Sequence, residues 1–366
     1  MKKSLYILAA LAIAACTKTQ TNLDTTSNGE LAVVPVARNI TKAAITDGLY
    51  PEENHLALFA FHAPGVPANN ASENPSTDYS QFIETYLYNT EYHCRKADIN
   101  SKIWSGFQSS YYWPITGSLV FAGYSLPAPA AEGEASEAIG TVEYTLSTDK
   151  LKIEGYTQSV DPASTFDLLY FGRTDRSYNN RRTGEAIPLT FKHALSWITV
   201  EVKGGTGALI PNHVWSVTGV KLAGVQTTGN FTYTGTAQEN TPKVVWVPTD
   251  QKSDFVIYSS DFEDKDGNKV GAKPLTSAMA QIENVTDGTL LIPQGAKTLW
   301  VTIQYTSPAG DTITENIEID LATYTADGWE AGKKYTYQLT FDPLEIKVAP
   351  KVESWPDPIN ATWPNN

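Results

Sequence analysis

Hydrophobic and polar positions alternate most clearly in the second half of the chain. In WITVEV, Ile198, Val200 and Val202 fall on one face, and Trp197, Thr199 and Glu201 on the other. That period of two is the mark of a half-buried strand. LWVTIQY repeats it with Leu299, Val301, Ile303 and Tyr305, and YTYQLTF with Tyr335, Tyr337, Leu339 and Phe341. LEIKV does the same with Leu344, Ile346 and Val348. Gly, Asn, Asp and Pro punctuate these runs at short intervals, which predicts an antiparallel sandwich rather than alternating strands and helices. Only PLTSAMAQIENV (residues 274–285) hints at a helix.

The first half is less regular. LAVVPVAR (31–38) is a β-branched run interrupted by Pro35. Proline cannot donate to a ladder, so this strand is expected at a sheet edge. HLALFAFH (55–62) is apolar on both faces, as a core strand would be. Residues 63–80 read as a long loop, and further strands are expected at VEYTLS (142–147) and TFDLLYF (165–171). RTDRSYNNRRTGE (173–185) is polar, carries four Arg, and reads as a domain boundary or a long surface loop.

A length of 366 residues is enough for two cores. With 19 Tyr and 9 Trp but only 18 % charged residues, the composition favours sheets over exposed helices. A net charge of −13 argues against a nucleic-acid partner, which would need a basic footprint.

The N-terminus, MKKSLYILAALAIAAC, has Lys2 and Lys3 before a short apolar stretch, then Ala14, Ala15 and Cys16. That stretch is too short for a membrane span and reads as a secretory signal. The small residues before Cys16 resemble a bacterial lipobox, in which cleavage precedes a lipidated (palmitate-bearing) cysteine. Residues 17–30 read as a polar tether, and Cys94 is left as a structural thiol.

Chemistry is sparse. The five His show no zinc spacing, and no nucleophile elbow or phosphate loop is present. His55 and His62 flank one strand, and His193 precedes another; all read as structural. DKDGN (264–268) lacks the closing acidic residue of a calcium loop and reads as a hairpin turn. No cofactor and no metal are expected, and the chain does not read as an enzyme. The aromatics between Trp104 and Trp113 could form a glycan-stacking platform, although inter-strand packing explains them as well.

Four stretches, PLTFKHALSWITVEVK (188–203), LLIPQGAKTLWVTIQY (290–305), GWEAGKKYTYQLTF (328–341) and LEIKVAPKVESW (344–355), resemble the C-terminal half of the fimbrillin family in order and spacing. ITKAAITDGLYPEENHLALFAFH (40–62) resembles the start of that family's N-terminal domain. The resemblance implies an all-β fold, two transthyretin-like antiparallel β-sandwich domains in tandem. The expected organisation is a signal peptide at 1–15, a tether and exchangeable strand at 16–42, an N-terminal domain at 43–186 and a C-terminal domain at 187–366.

The resemblance also implies a structural subunit of a type V pilus. It would travel as a lipoprotein to the outer membrane and end in a cell-surface fimbria. An Arg- or Lys-specific protease would remove the first strand, and a neighbouring pilus subunit would donate its own. The strand to be expelled is Leu31, Ala32, Val33, Val34, Pro35, Val36 and Ala37. Cleavage is expected after Arg38, with Lys42 as the second choice. The prolines at 356, 358 and 364 disfavour a donor strand there, so the candidate donor centres on Leu344, Ile346 and Val348. Stalk, tip and anchor positions stay open; a tip would add binding of a host glycan or protein. The competing reading is a monomeric surface lipoprotein that binds glycans.

Overall fold

The structure, a computed structural model, describes residues 30–36, 39–40, 45–46, 53–64, 79–94, 103–161, 164–174, 178–179, 187–206, 215–235, 243–263, 267–282, 288–307, 309–342 and 345–355. The first strands are β1 (Val33–Val36), β2 (Asn39–Ile40), β3 (Ile45–Thr46), β4 (Leu56–Ala63), β5 (Glu84–Cys94), β6 (Trp104–Gly106) and β7 (Ser118–Ser125). They are followed by β8 (Thr141–Thr145), β9 (Lys150–Thr157), β10 (Leu169–Phe171), β11 (Tyr178–Asn179), β12 (Ile187–Thr190) and β13 (Lys192–His193). Next come β14 (Ser196–Gly204), β15 (Ser216–Gln226), β16 (Thr228–Thr234), β17 (Lys243–Pro248), β18 (Lys252–Ser259) and β19 (Lys273–Pro274). The last are β20 (Ala280–Gln281), β21 (Thr289–Leu291), β22 (Thr298–Thr306), β23 (Thr312–Asp320), β24 (Lys333–Asp342) and β25 (Glu345–Ser354). The protein is all-β, with no α-helix among the described residues.

One sheet runs β12-β1-β6-β5-β4-β7-β10-β13, with β11 beside β7. Phe191 alone separates β12 from β13, so the two ends of this path lie in one continuous segment and the sheet closes on itself. Its strands alternate between two cores. Leu56, Leu58, Ala60, Leu119 and Phe121 pack into the enclosed one. Their neighbours Ala57, Phe59, Val120 and Ala122 face the other way into a second cluster. This is why HLALFAFH carries no polar face: both of its faces are core.

The second cluster is completed by the sheet β17-β16-β9-β8, which contributes Tyr144, Leu151, Ile153, Phe231 and Tyr233. Its strands come from both halves of the chain, β8 and β9 from the first and β16 and β17 from the second.

Strands β2 and β3 form a two-stranded sheet of their own. The last two sheets, β20-β14-β24-β25 with β21 beside β14 and β18-β15-β22-β23 with β19 beside β15, face each other. Between them lie Ile198, Val200, Leu299, Val301, Tyr337 and Leu339, the faces that alternation assigned to the core. Trp197 differs from expectation. It lies on the opposite face of β14 yet is 8 % exposed, because that face packs into the second cluster. The helix hinted at from residue 274 is also absent. Leu275 and Ile282 are buried in the sandwich core, and β20 between them pairs with β14 instead. Two pairings are parallel, β1 with β12 and β14 with β24.

Candidate functional site

The site is the place of β1 in the closed sheet. Val33, Val34, Pro35 and Val36 pair in parallel with Ile187, Pro188, Leu189 and Thr190. On the other side Val33 pairs with Trp104 of β6. Just upstream, the Leu31 N–H donates to the Tyr111 carbonyl at 2.6 Å, and Glu30 bridges to Tyr112. Leu31 and Val33 are fully buried and belong to the enclosed core with Ile187 and Leu189. Ala32 is 4 % exposed.

The strand is therefore not at the edge that Pro35 suggested, since β12 flanks it on one side and β6 on the other. The reason lies in the phase of the ladder. The Ile187 N–H donates to the Ala32 carbonyl at 3.0 Å. In a parallel pair, alternate residues turn both backbone groups to the same neighbour, so residues 32, 34 and 36 address β12. Pro35 turns its nitrogen to the other side, beyond the single Val33–Trp104 pair. A proline forbids one ladder bond, not a second neighbour.

Leu31, Ala32, Val33, Val34, Pro35 and Val36 thus lie together in one extended segment, while Ala37, Arg38, Lys42 and Cys16 lie outside the described residues. Leu344 does too. Ile346 and Val348 sit on β25, half-buried against the sandwich core. They pair with Phe341 and Leu339 of β24 in a ladder running from Glu345 to Ser354. The strand ends at Trp355, which is 2 % exposed. Its N–H donates to the Gly332 carbonyl at 2.9 Å. Its ring stacks on His193 with centroids 3.5 Å apart and leans on Trp197 at 5.4 Å. His193 in turn holds Asp167 at 3.0 Å. No feature of the sequence marked Trp355 as the fastener of this strand, because the rings it packs against, His193 and Trp197, lie about 160 residues upstream in the chain.

The other singled-out residues prove to be structural. Trp104 is fully buried and Trp113 is 5 % exposed, both in the enclosed core, so neither offers a face to a glycan. His55 meets Glu91 at 2.5 Å and His62 meets Glu84 at 2.7 Å, which places the two rings at opposite ends of β4. Cys94 is half-buried, across from Trp104. The two halves of the chain are tied by Asp149, whose carboxylate accepts from Tyr144 at 2.7 Å and from Tyr233 at 3.2 Å. Burial first, and then the Asp149 charge, push both phenols well above the usual tyrosine range.

A family model described as fimbrillin-like matches residues 41–355. The chain belongs to the fimbrillin-like family. Among solved structures, a fimbrial protein from Bacteroides vulgatus aligns over 89 % of this chain and 99 % of its own, at 16 % identity and a TM-score of 0.47. A candidate cell adhesion protein from Bacteroides uniformis aligns over 90 % and 100 %, at 13 % identity and 0.46. The tip fimbrial protein Mfa3 from Porphyromonas gingivalis, C-terminally truncated, aligns over 89 % and 100 %, at 9 % identity and 0.33. Comparison with curated protein sequences returned no match. Membership of a fimbrillin-like family suggests a fimbrial or adhesin subunit at the cell surface, a structural rather than catalytic role.

Proposed function

We propose that this fimbrillin-like chain is a subunit of a cell-surface fimbria, assembled by strand exchange at the place β1 fills. The observation that carries this reading is the burial of Leu31 and Val33 in a strand with neighbours on both sides. Loss of that segment leaves an extended apolar slot lined by Trp104, Ile187 and Leu189. Such a slot is a template for another strand, with backbone bonds supplying affinity and alternating pockets supplying register. Fully burying side chains of this size is worth roughly 1.5–3 kcal/mol each, enough to drive exchange once the resident strand is cut away. Before cutting, the resident strand holds the slot by covalent attachment, which gives it a high effective concentration.

On this reading Cys16 carries the lipid that anchors the precursor to the outer membrane. An Arg- or Lys-specific protease cuts after Arg38, or else after Lys42. The neighbour's donor is its counterpart of the strand holding Ile346 and Val348. Full-length protein treated with trypsin tests the idea, wild type against the Arg38→Ala/Lys42→Ala double variant. The wild type should give a ladder of polymers on unheated SDS gels while the double variant stays monomeric. Equal assembly of both would show the mechanism to be wrong for this protein.

A further inference from the structure

Sheet β18-β15-β22-β23 turns one face to the sandwich core and the other away from it. On the outward face lies a hollow of about 410 Å³ lined by Gly219, Lys221, Tyr258, Trp300, Thr302 and Asn316 among others. Its origin is local. Strand β15 slips register against β22 between Val217 and Gly219, and against β18 between Val220 and Lys221. Bulges re-aim side chains and bend the strand that carries them. Gly219, between Ser259 and Thr302 in the pairing, adds no side chain of its own. The outward face of the sheet is dished there.

Trp300 is the side chain that alternation does not explain. Leu299, Val301 and Ile303 around it face the core, so Trp300 faces outward, half-buried, opposite Lys221 and Glu318. Among the described residues its indole N–H has no hydrogen-bond partner. Asn316 uses its carbonyl to accept from Thr302 at 2.7 Å, and its amide N–H groups have no partner among the described residues. Lys221 is different: its ammonium is met by Asp254 at 2.7 Å, and Asp254 is held further by the Gly224 N–H at 3.2 Å.

We infer that this hollow binds a neutral sugar ring of a glycan. An aromatic face offers an apolar platform with a polar rim. The Trp300 and Asn316 donors and the remaining Lys221 donors suit the ring hydroxyls of a saccharide. The ion pair with Asp254 leaves Lys221 a poor anchor for a free phosphate or carboxylate, and Glu318 beside the platform disfavours them too. A few convergent polar groups around an aromatic wall, in a concavity of this volume, are the usual make-up of a small-ligand site. The site lies on β15, β18, β22 and β23, away from β1 and β25, so it stands whether or not strand exchange occurs.

The test uses the full chain and four probes: the methyl glycosides of glucose, galactose and N-acetylglucosamine, and lactose. Binding is read by saturation-transfer NMR and by tryptophan fluorescence. At least one probe should bind saturably in the millimolar range, and Trp300→Ala should weaken it tenfold or more. Gly219→Leu provides a second block. A Cβ at position 219 meets nothing nearer than Thr302 Oγ1 at 3.4 Å, and the backbone there needs no glycine. The leucine therefore projects toward Thr302 and takes up part of the hollow while the sheet persists, as the thermal midpoint will verify. Failure of all four probes, sugar binding untouched by both variants, or displacement of bound sugar by inorganic phosphate would each overturn the assignment.

Discussion

The first and last described strands are held by opposite means. Strand β1 pairs over four residues, yet Leu31 and Val33 are fully buried and strands lie on both sides of it. Strand β25 pairs over ten residues with β24 alone, at a sheet edge. Its inward side chains run out of core: Ile346 and Val348 are half-buried, whereas Val352 is 53 % exposed. The N-terminal strand is retained by hydrophobic burial, and the C-terminal one by ladder bonds and one buried tryptophan. Ladder bonds contribute only about 0.5–1.5 kcal/mol each net of water, so length is not a measure of retention. Under the proposed exchange, tight holding of β1 is no obstacle, since cutting would change its effective concentration rather than its contacts.

The largest effect should come from a charge placed inside that burial. Val33→Asp puts an unpaired carboxylate into a closed apolar core, which costs more than about 3 kcal/mol. Ile346→Asp, at a half-buried edge, should cost roughly half as much. Denaturant titration of the two variants gives the comparison, and equal losses would mean that burial does not distinguish the strands.

Trp355→Ala comes next, at about 3–5 kcal/mol for a buried tryptophan truncated to alanine. The loss should be local. Hydrogen exchange should accelerate in peptides covering β25 and the start of β14 while those covering β1 and β4 keep their protection. Uniform acceleration would make Trp355 part of a global core rather than a fastener of one strand.

A smaller break falls where the two halves of the chain meet, at the Tyr233 hydroxyl that donates to Asp149. Tyr233→Phe should cost about 1–2 kcal/mol, because Asp149 is 4 % exposed and keeps Tyr144 and the Arg173 N–H on its other oxygen. The pH dependence has a definite sign. Both phenols titrate higher in the folded state than the ordinary 10.0, so the unfolded chain releases its protons first. Their contribution is complete below pH 10 and is lost as pH rises above it. The wild type should destabilise more steeply on the alkaline side than the Phe variant.

What the sequence discloses here follows the range of the interaction. Alternation in WITVEV and LWVTIQY identifies the core faces of β14 and β22, since a period of two depends only on near neighbours. It misreads Trp197, whose outward face is covered by the Trp355 ring and by the sheet that includes β16 and β17. The segment around Val33 is legible as a strand, but its parallel pairing with β12 joins residues about 150 apart in the chain, which no local pattern encodes. Trp104 and Trp113 show the same limit from another side. Aromatic clustering in so aromatic-rich a chain favours core packing over a platform, and closure of the sheet puts both tryptophans in the core. The Trp300 hollow goes unnoticed because its making depends on register slips, which composition does not register.

The smallest effect, and the finest discrimination, is at the two strand prolines. Trp355 donates to Gly332, so in the antiparallel register of β25 with β24 the residues 353, 351 and 349 also face β24 with their backbone groups. Pro350, paired with Tyr337, turns its nitrogen outward to solvent, as an edge strand permits. Pro35 likewise turns its nitrogen off its β12 ladder, but at a buried position. Replacing either proline by alanine frees the unfolded chain by a similar amount, about 0.4–1 kcal/mol, and that part cancels in a comparison. What remains is the new N–H. At 350 water satisfies it, and the variant should lose no more than the entropic amount. At 35 it enters a side of the strand with no ladder partner among the described residues, at an added cost of about 1–3 kcal/mol for a buried unpaired donor. Paired denaturation curves for Pro35→Ala and Pro350→Ala should therefore separate by that margin, with Pro35→Ala the less stable. If the two coincide, the space beside Pro35 is wet or already supplied with an acceptor, and β1 is less enclosed than its buried side chains indicate.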